Sequence, residues 1–314
     1  MSAPSFALID DRLSLYNYDP NAPAAICGAV AFAVVLIAHL WLLSRLQAWY
    51  FGGMYAGLLL ECIGFIVRAK SINEPTNKAT FYTSYIILLA APSFMSAGCY
   101  AIFGRIVWWV TPAETRRSRL FWPPIHVTVP LLIVLVLVCA LLQLIGAVKV
   151  ANADLVVTGD VPWTGLAMLK VGMILQIVGF ALFFVIGARF VFLSRYWANK
   201  TLPYPAPRGS WSLIYWTIYG SVMVMMIRTV YRLAELFSST GNLGYLALYE
   251  WPFWVLEAIP ILGVFVLLVF VHPGQQLPPR LLHLYLDTHP EDEDAETMTL
   301  RTNPSSSVRV QGWV

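Results

Sequence analysis

Long apolar blocks alternate with short polar breaks along the chain, and the blocks have the length of a membrane crossing. A hydrocarbon core about 30 Å thick takes roughly 20 apolar residues of helix, a length that soluble core helices seldom reach. Seven runs meet it, at about 23–47, 49–69, 80–110, 124–148, 165–193, 211–237 and 249–271. The expected fold is therefore all-α: a polytopic membrane protein built as a bundle of seven transmembrane helices. The break around Ser44 to Ala48 is so short that the first two helices should form an antiparallel hairpin. The third run is long enough to tilt, or to carry a turn beyond the membrane. Pro92, Pro130 and Pro260 fall inside runs and predict kinks, which membrane helices tolerate when neighbours re-satisfy the freed backbone. Gly53 and Gly57 make a GxxxG, a spacing that lets helices approach closely but is common by chance in Gly-rich spans.

The flanks give direction. Residues 1–22 are polar, carry Asp10, Asp11 and Asp19, and lack a basic n-region, so no cleavable signal is expected and the first span acts as its own. Lys and Arg concentrate in cytosolic loops. On the N-terminal side lie Arg12, Lys70, Lys78 and Lys149. On the other lie Arg45, Arg116, Arg117, Arg119, Arg195, Lys200, Arg208, Arg280, Arg301 and Arg309. The asymmetry places the N-terminus outside and the C-terminus in the cytosol. Trp49, Trp108, Trp109, Trp122, Trp211 and Trp251 fall at predicted helix ends, as interfacial belts do. On this topology the sequon at Asn199 faces the cytosol and stays unused. Three regions result: an extracellular segment 1–22, a membrane domain 23–274, and a cytosolic tail 275–314. The tail follows Pro278 and Pro279, carries an acidic run from Glu291 to Asp294 and a serine run from Ser305 to Ser307, and reads as disordered. No internal repeat of the kind many transporters carry is visible.

Composition agrees with a membrane chain and removes several function classes. Hydrophobic residues make up 59% and charged residues only 12%, where a globular chain is about a quarter charged. The net charge of +3 is small, with no basic face interleaved with aromatics, so nucleic acid is not an expected partner. Cys27, Cys62, Cys99 and Cys139 all lie inside apolar runs, so they read as buried thiols rather than a disulfide framework. No phosphate-binding G-x-x-x-x-G-K-[ST] occurs, His39, His126 and His272 are scattered, and no serine-nucleophile motif is present. No cofactor, metal or enzymatic activity is expected.

The chemistry that remains is charge inside the membrane. Ionisable groups within spans are expensive and normally face the bundle interior, paired. At 1.5 Å per residue, Glu61 on the second helix and Glu257 on the seventh lie roughly 12 Å below the outer boundary, and Arg228 on the sixth roughly 13 Å. Arg68, Arg232, Glu235 and Glu250 lie nearer the rim. Seven-residue spacing puts Glu61 with Arg68, Arg228 with Glu235, and Glu250 with Glu257 on common faces. These residues predict a charged seam descending into the bundle, which Gln176 near mid-membrane and Gln143 higher up could join. Arg105 and Arg189, near the cytosolic boundary, should snorkel. Two readings of the seam stay open. It is an ion-pair network that fixes helix register, or a polar site for an amphiphile's headgroup.

These residues resemble the fungal lipid-translocating exporters, the RTA-like seven-span proteins, from the second helix to His272, Pro273 and Gly274. Glu61, Gly64, Phe65 and Arg68 are similar to the family's E-x-x-G-[YF]-x-x-R. Ala91, Pro92, Ala97, Tyr100, Gly104 and Arg105 follow its third-helix pattern. Ile227, Arg228, Tyr231, Arg232 and Glu235 follow its I-R-x-x-[FY]-R-x-x-E, with Glu250 and Glu257 after them. Val136 stands where the family's fourth helix carries an Asp ahead of Gln143 and Gly146, and Glu257 where it carries an Asp. The first change removes an acid; the second keeps the charge.

The resemblance implies lipid or amphiphile translocation, with sphingoid long-chain bases as a representative substrate, in the plasma membrane or an endomembrane. A carboxylate at Glu61 or Glu257 would attract the amine. The alternative is a seven-helix receptor or lipid-stress sensor, signalling through Arg116, Arg117, Arg119 and the tail. An intramembrane lipid enzyme ranks last. Expected partners are membrane lipids or amphiphilic small molecules; a homo-oligomer and cytosolic partners of the tail stay open.

Overall fold

The computed structural model describes residues 8–9, 12–13, 16, 18–46, 49–74, 76–111, 125–152, 162–200, 210–239 and 245–276. Seven helices are long and apolar enough to cross a membrane: α1 (Ala22–Leu46), α2 (Gly52–Asn73), α3 (Lys78–Val110), α4 (Ile125–Ala151), α5 (Trp163–Lys200), α6 (Ser210–Ser239) and α7 (Trp251–Phe270). The expected all-α bundle is what forms. Ahead of α1, Leu8–Ile9 and Arg12–Leu13 make one short antiparallel pair. Arg116, Arg117, Arg119, Trp122, Thr201 of the sequon, Arg208 and the tail from Leu277 onward lie outside the described residues.

Helix boundaries follow local chemistry. The side chain of Asn77 accepts from Ala79 N at 3.1 Å and caps α3; Asn21 does the same for α1 through Ala24 N, also at 3.1 Å. Between α1 and α2 the described residues Trp49–Phe51 make a 3-10 turn, and the two helices are the expected hairpin. α3 runs unbroken through Pro92, where Ser96 Oγ donates to the Pro92 carbonyl at 2.7 Å. α7 is not regular: Trp254–Ala258 widen into a π turn that contains Glu257. Pro260 follows directly and has no N–H to give to the ladder, which lets the preceding turn open.

In its most apolar stretch α3 has 67% of residues buried against 17% for α1, so α3 is the central helix and α1 a rim helix. Close approach of α2 to α3 rests on the GxxxG. A Cβ on Gly53 would lie 2.9 Å from Gly98 N and 3.0 Å from Phe94 O, so only glycine lets the two backbones meet. Aromatic rings fill the interior. Phe103 packs edge-on to Phe183 and Phe190, and Phe32 stacks on Phe65 at 5.0 Å. The outward faces are apolar instead, as lipid requires: Val30, Val34 and Ile37 on α1 are 58%, 61% and 67% exposed.

Two expectations change. Cys27 is exposed on α1 rather than buried, because its position falls on the lipid-facing stripe; Cys62, Cys99 and Cys139 are buried. Arg105 does not snorkel. It is buried, with its guanidinium 3.9 Å over the Tyr50 ring, a contact that holds the cation between helices. Arg189 is exposed, as expected.

Candidate functional site

The intramembrane charges meet. α2 and α6 run in one direction and α7 in the other, so the middle of α2, the C-terminal half of α6 and the N-terminal half of α7 come to one level. Arg228 Nη2 donates to Glu257 Oε1 at 2.7 Å and to the Leu88 carbonyl of α3. Arg232 Nη2 lies between both Glu257 oxygens, at 2.7 and 2.6 Å, while its Nη1 donates to Glu235 Oε2 at 2.7 Å. Glu257 thus sits between two arginines that stand one helical turn apart on α6. Closer to the N-terminal face, Arg68 Nη2 donates to Glu250 Oε1 at 3.3 Å. The seam exists, with Arg228–Glu257 and Arg68–Glu250 pairing across helices and Arg232–Glu235 pairing along α6. The π turn that carries Glu257 and the position of Glu250 ahead of α7 offset their side chains from one another.

Glu61 stands apart. It is 1% exposed, lies 4.0 Å from Arg228 Nη2, and makes no hydrogen bond among the described residues; its Oε1 is buried without a partner. Arg228 spends its short bonds on Glu257 and Leu88. Pairing Arg68 with Glu250, Arg228 with Glu257 and Arg232 with Glu235 leaves Glu61 as the one carboxylate of the seam without a cation of its own.

The glutamines join the seam from the other side. Gln143 Nε2 donates to Gln176 Oε1 at 2.7 Å, and Gln176 Nε2 reaches Ser93 Oγ at 3.5 Å. Gln143, Gln176, Arg228, Arg232 and Thr229 line a small cavity with about 10 Å³ open to the centre of a water molecule. That is room for one water and too little for a lipid headgroup. Val136, at the position of the missing acid, is buried in the apolar core.

Two features escaped sequence reading. The first is a strap. Tyr16 and Tyr18 precede α1 yet fold over the N-terminal end of the seam. Tyr18 Oη accepts from Arg68 Nη2 at 2.9 Å, Tyr16 Oη donates to Ser71 Oγ at 3.1 Å, and Asn21 N donates to Glu250 Oε2 at 2.8 Å. The only signal was two tyrosines in a polar segment. The second lies at the opposite face. His39 and His272, far apart in sequence, bring their rings to 6.4 Å. His39 Nε2 is 3.1 Å from the Phe265 carbonyl, so that nitrogen carries the proton. His272 Nδ1 accepts from Gly274 N at 3.1 Å, and its Nε2 is 3.2 Å from Tyr55 Oη. Burial and the nearby His39 push the His272 ring down to about 4. Among the described residues no group of three or more side chains could hold a metal.

Seven apolar helices around a buried acid–arginine cluster define an integral membrane protein with a polar core. The sequence model of the RTA1 like protein family matches residues 54–280, and the chain belongs to that family. The Saccharomyces cerevisiae Protein RTA1 is 24% identical over 84% of this chain and 86% of its own length. The Sphingoid long-chain base transporter RSB1 from the same species is 24% identical over 93% of this chain and 83% of its own. Protoporphyrin uptake protein 1, also from that yeast, is 24% identical over 68% and 65%. Relatives named for transport and uptake support a membrane transport role for the family. No solved structure matches the chain significantly.

Proposed function

We propose that the protein translocates cationic single-chain amphiphiles, of which sphingoid long-chain bases are one kind, and so confers tolerance to them. Glu61 carries this reading: a buried carboxylate without hydrogen bonds, beside pairs that already balance one another. A carboxylate with one cation at 4.0 Å and no hydrogen bond is poorly compensated in a low-dielectric interior, and an ammonium headgroup is a partner that would relieve it. Glu257, bound by two arginines, is not available for that role. The alkyl tail would remain between helices or in lipid. The relative named as a sphingoid long-chain base transporter supports the substrate class. The plasma membrane, with the N-terminus outside, is the expected setting, and the activity is not enzymatic.

The test is reconstitution of the purified chain in vesicles, scoring the flipping of labelled sphingoid base, phospholipid and sterol separately. Movement of the base beyond protein-free vesicles is expected. One observation favours a second reading, a lipid-stress sensor: the segment ahead of α1 ties Tyr18 to Arg68 at the N-terminal end of the charged seam. Deleting residues 280–314 separates the two. A translocating core keeps its flipping activity, whereas a tail-signalling sensor falls silent in cells.

A further inference from the structure

Resting on the translocation reading, we infer that Glu61 exchanges a proton for the cationic substrate, so that transport is coupled to counter-movement of protons. Arg228 and Arg232 of α6 hold Glu257 of α7, and Arg232 also holds Glu235 of α6. Arg68 of α2 holds Glu250 and Tyr18. Three guanidiniums therefore face three carboxylates, and Glu61 is a fourth. The groups facing it are Arg228 and Arg232 on α6 and Glu257 on α7. From α3, Tyr85 faces the same arginines and Glu257, and the Leu88 carbonyl is already taken by Arg228. On its own helix Arg68 lies two turns toward the N-terminal face. From α1 no charged side chain reaches this level, since Arg45 and His39 sit at the other end of that helix.

A carboxylate so placed has two ways to be neutral. It takes a proton, or it pairs with a cation. Both use the same oxygens, since Oε1 is enclosed and the side chain is 1% exposed, so the two states exclude each other. In the resting state the Glu61 carboxyl holds its O–H. When an ammonium headgroup arrives, that O–H bond breaks, the proton leaves to water, and the carboxylate pairs with the ammonium, which keeps its own charge. Release of the headgroup on the other side is the reverse step, with the proton taken from that side. One proton moves opposite to one cation and no uncompensated charge is left in the bundle.

The test uses a permanent cation that cannot itself carry a proton. The full chain is reconstituted in vesicles with a trapped pH-sensitive dye, and a labelled long-chain alkyltrimethylammonium is added outside. In the wild type, cation entry should drive protons out and raise the internal pH. Glu61→Gln should abolish this proton movement, and Glu61→Asp should restore part of it. Size-exclusion profile and thermal unfolding establish that both variants are folded. Movement of the cation without proton counter-flow, or unchanged proton flow in Glu61→Gln, overturns the coupling while leaving translocation intact. If neither the alkyltrimethylammonium nor labelled sphingoid base moves with the wild type, the translocation reading itself is overturned.

Discussion

Glu61 and Glu257 share one cluster, each 1% exposed, yet their replacement by glutamine is expected to have very different consequences for stability. Glu257 Oε1 accepts charge-assisted hydrogen bonds from two arginines, each at 2.7 Å. Removing one member of such a buried pair typically destabilises by about 3–5 kcal/mol, because the partner is left uncompensated; here two partners are left. Glu61 has only the Arg228 guanidinium at 4.0 Å. Its attraction is about 4 kcal/mol at an effective dielectric near 20, and desolvating an ion opposes it by several kcal/mol. With no hydrogen bond to add, ionisation gains nothing and the resting carboxyl stays neutral, so replacing it with a neutral amide of the same shape should change stability by no more than about 1 kcal/mol. The assay is thermal unfolding in detergent, followed with a thiol-reactive fluorophore. Cys62, Cys99 and Cys139 are buried and report unfolding, while exposed Cys27 sets the baseline. At about 2–4 °C per kcal/mol for a protein of this size, Glu257→Gln should lower Tm by on the order of 10 °C and Glu61→Gln by under about 4 °C. Equal losses would refute the division of labour between the two acids.

Other consequences follow from the same contacts. Tyr18→Phe removes the hydroxyl that meets Arg68; it should lower stability by about 1.5–3 kcal/mol, read in the same unfolding assay. Gly53→Val places side-chain carbon against the backbone of Gly98 and Phe94, so α2 and α3 cannot dock, and expression of folded monomer should collapse by size-exclusion profile. His272 has a folded-state value of about 4, below its ordinary 6.5. The unfolded chain therefore takes up that proton first, so stability from this contact is complete above about pH 6.5 and declines as pH falls toward 4. A Tm series from pH 7 to 5 should show that decline in the wild type and less of it in His272→Asn.

Most of the fold was legible because membrane spans announce themselves by length and apolarity; all seven predicted runs overlap observed helices. Their ends were less so. α5 extends past its apolar run to Lys200, since helix continues wherever backbone bonds can be made, whatever the side chains' affinity for lipid. Of the site, depth counting brought Glu61, Arg228 and Glu257 to one level before any coordinates. The order of the helices also put Arg228 and Glu257 on consecutive antiparallel spans, within pairing reach, but gave no sign that Arg232 would share Glu257 on a helix that widens into a π turn. Tyr16, Tyr18 and the pairing of His39 with His272 were illegible for another reason. They are contacts between segments far apart in sequence, with no periodicity to mark them.

Equilibrium binding of a radiolabelled long-chain ammonium amphiphile to the purified chain in nanodiscs probes the spare carboxylate most directly. Wild type and a Glu74→Gln surface control should bind with the same affinity, and Glu61→Gln, folded to the same Tm within a few degrees, should lose at least about tenfold, or 1.4 kcal/mol. Equal affinity for all three proteins would contradict the account, since the ammonium would then be held by something other than Glu61.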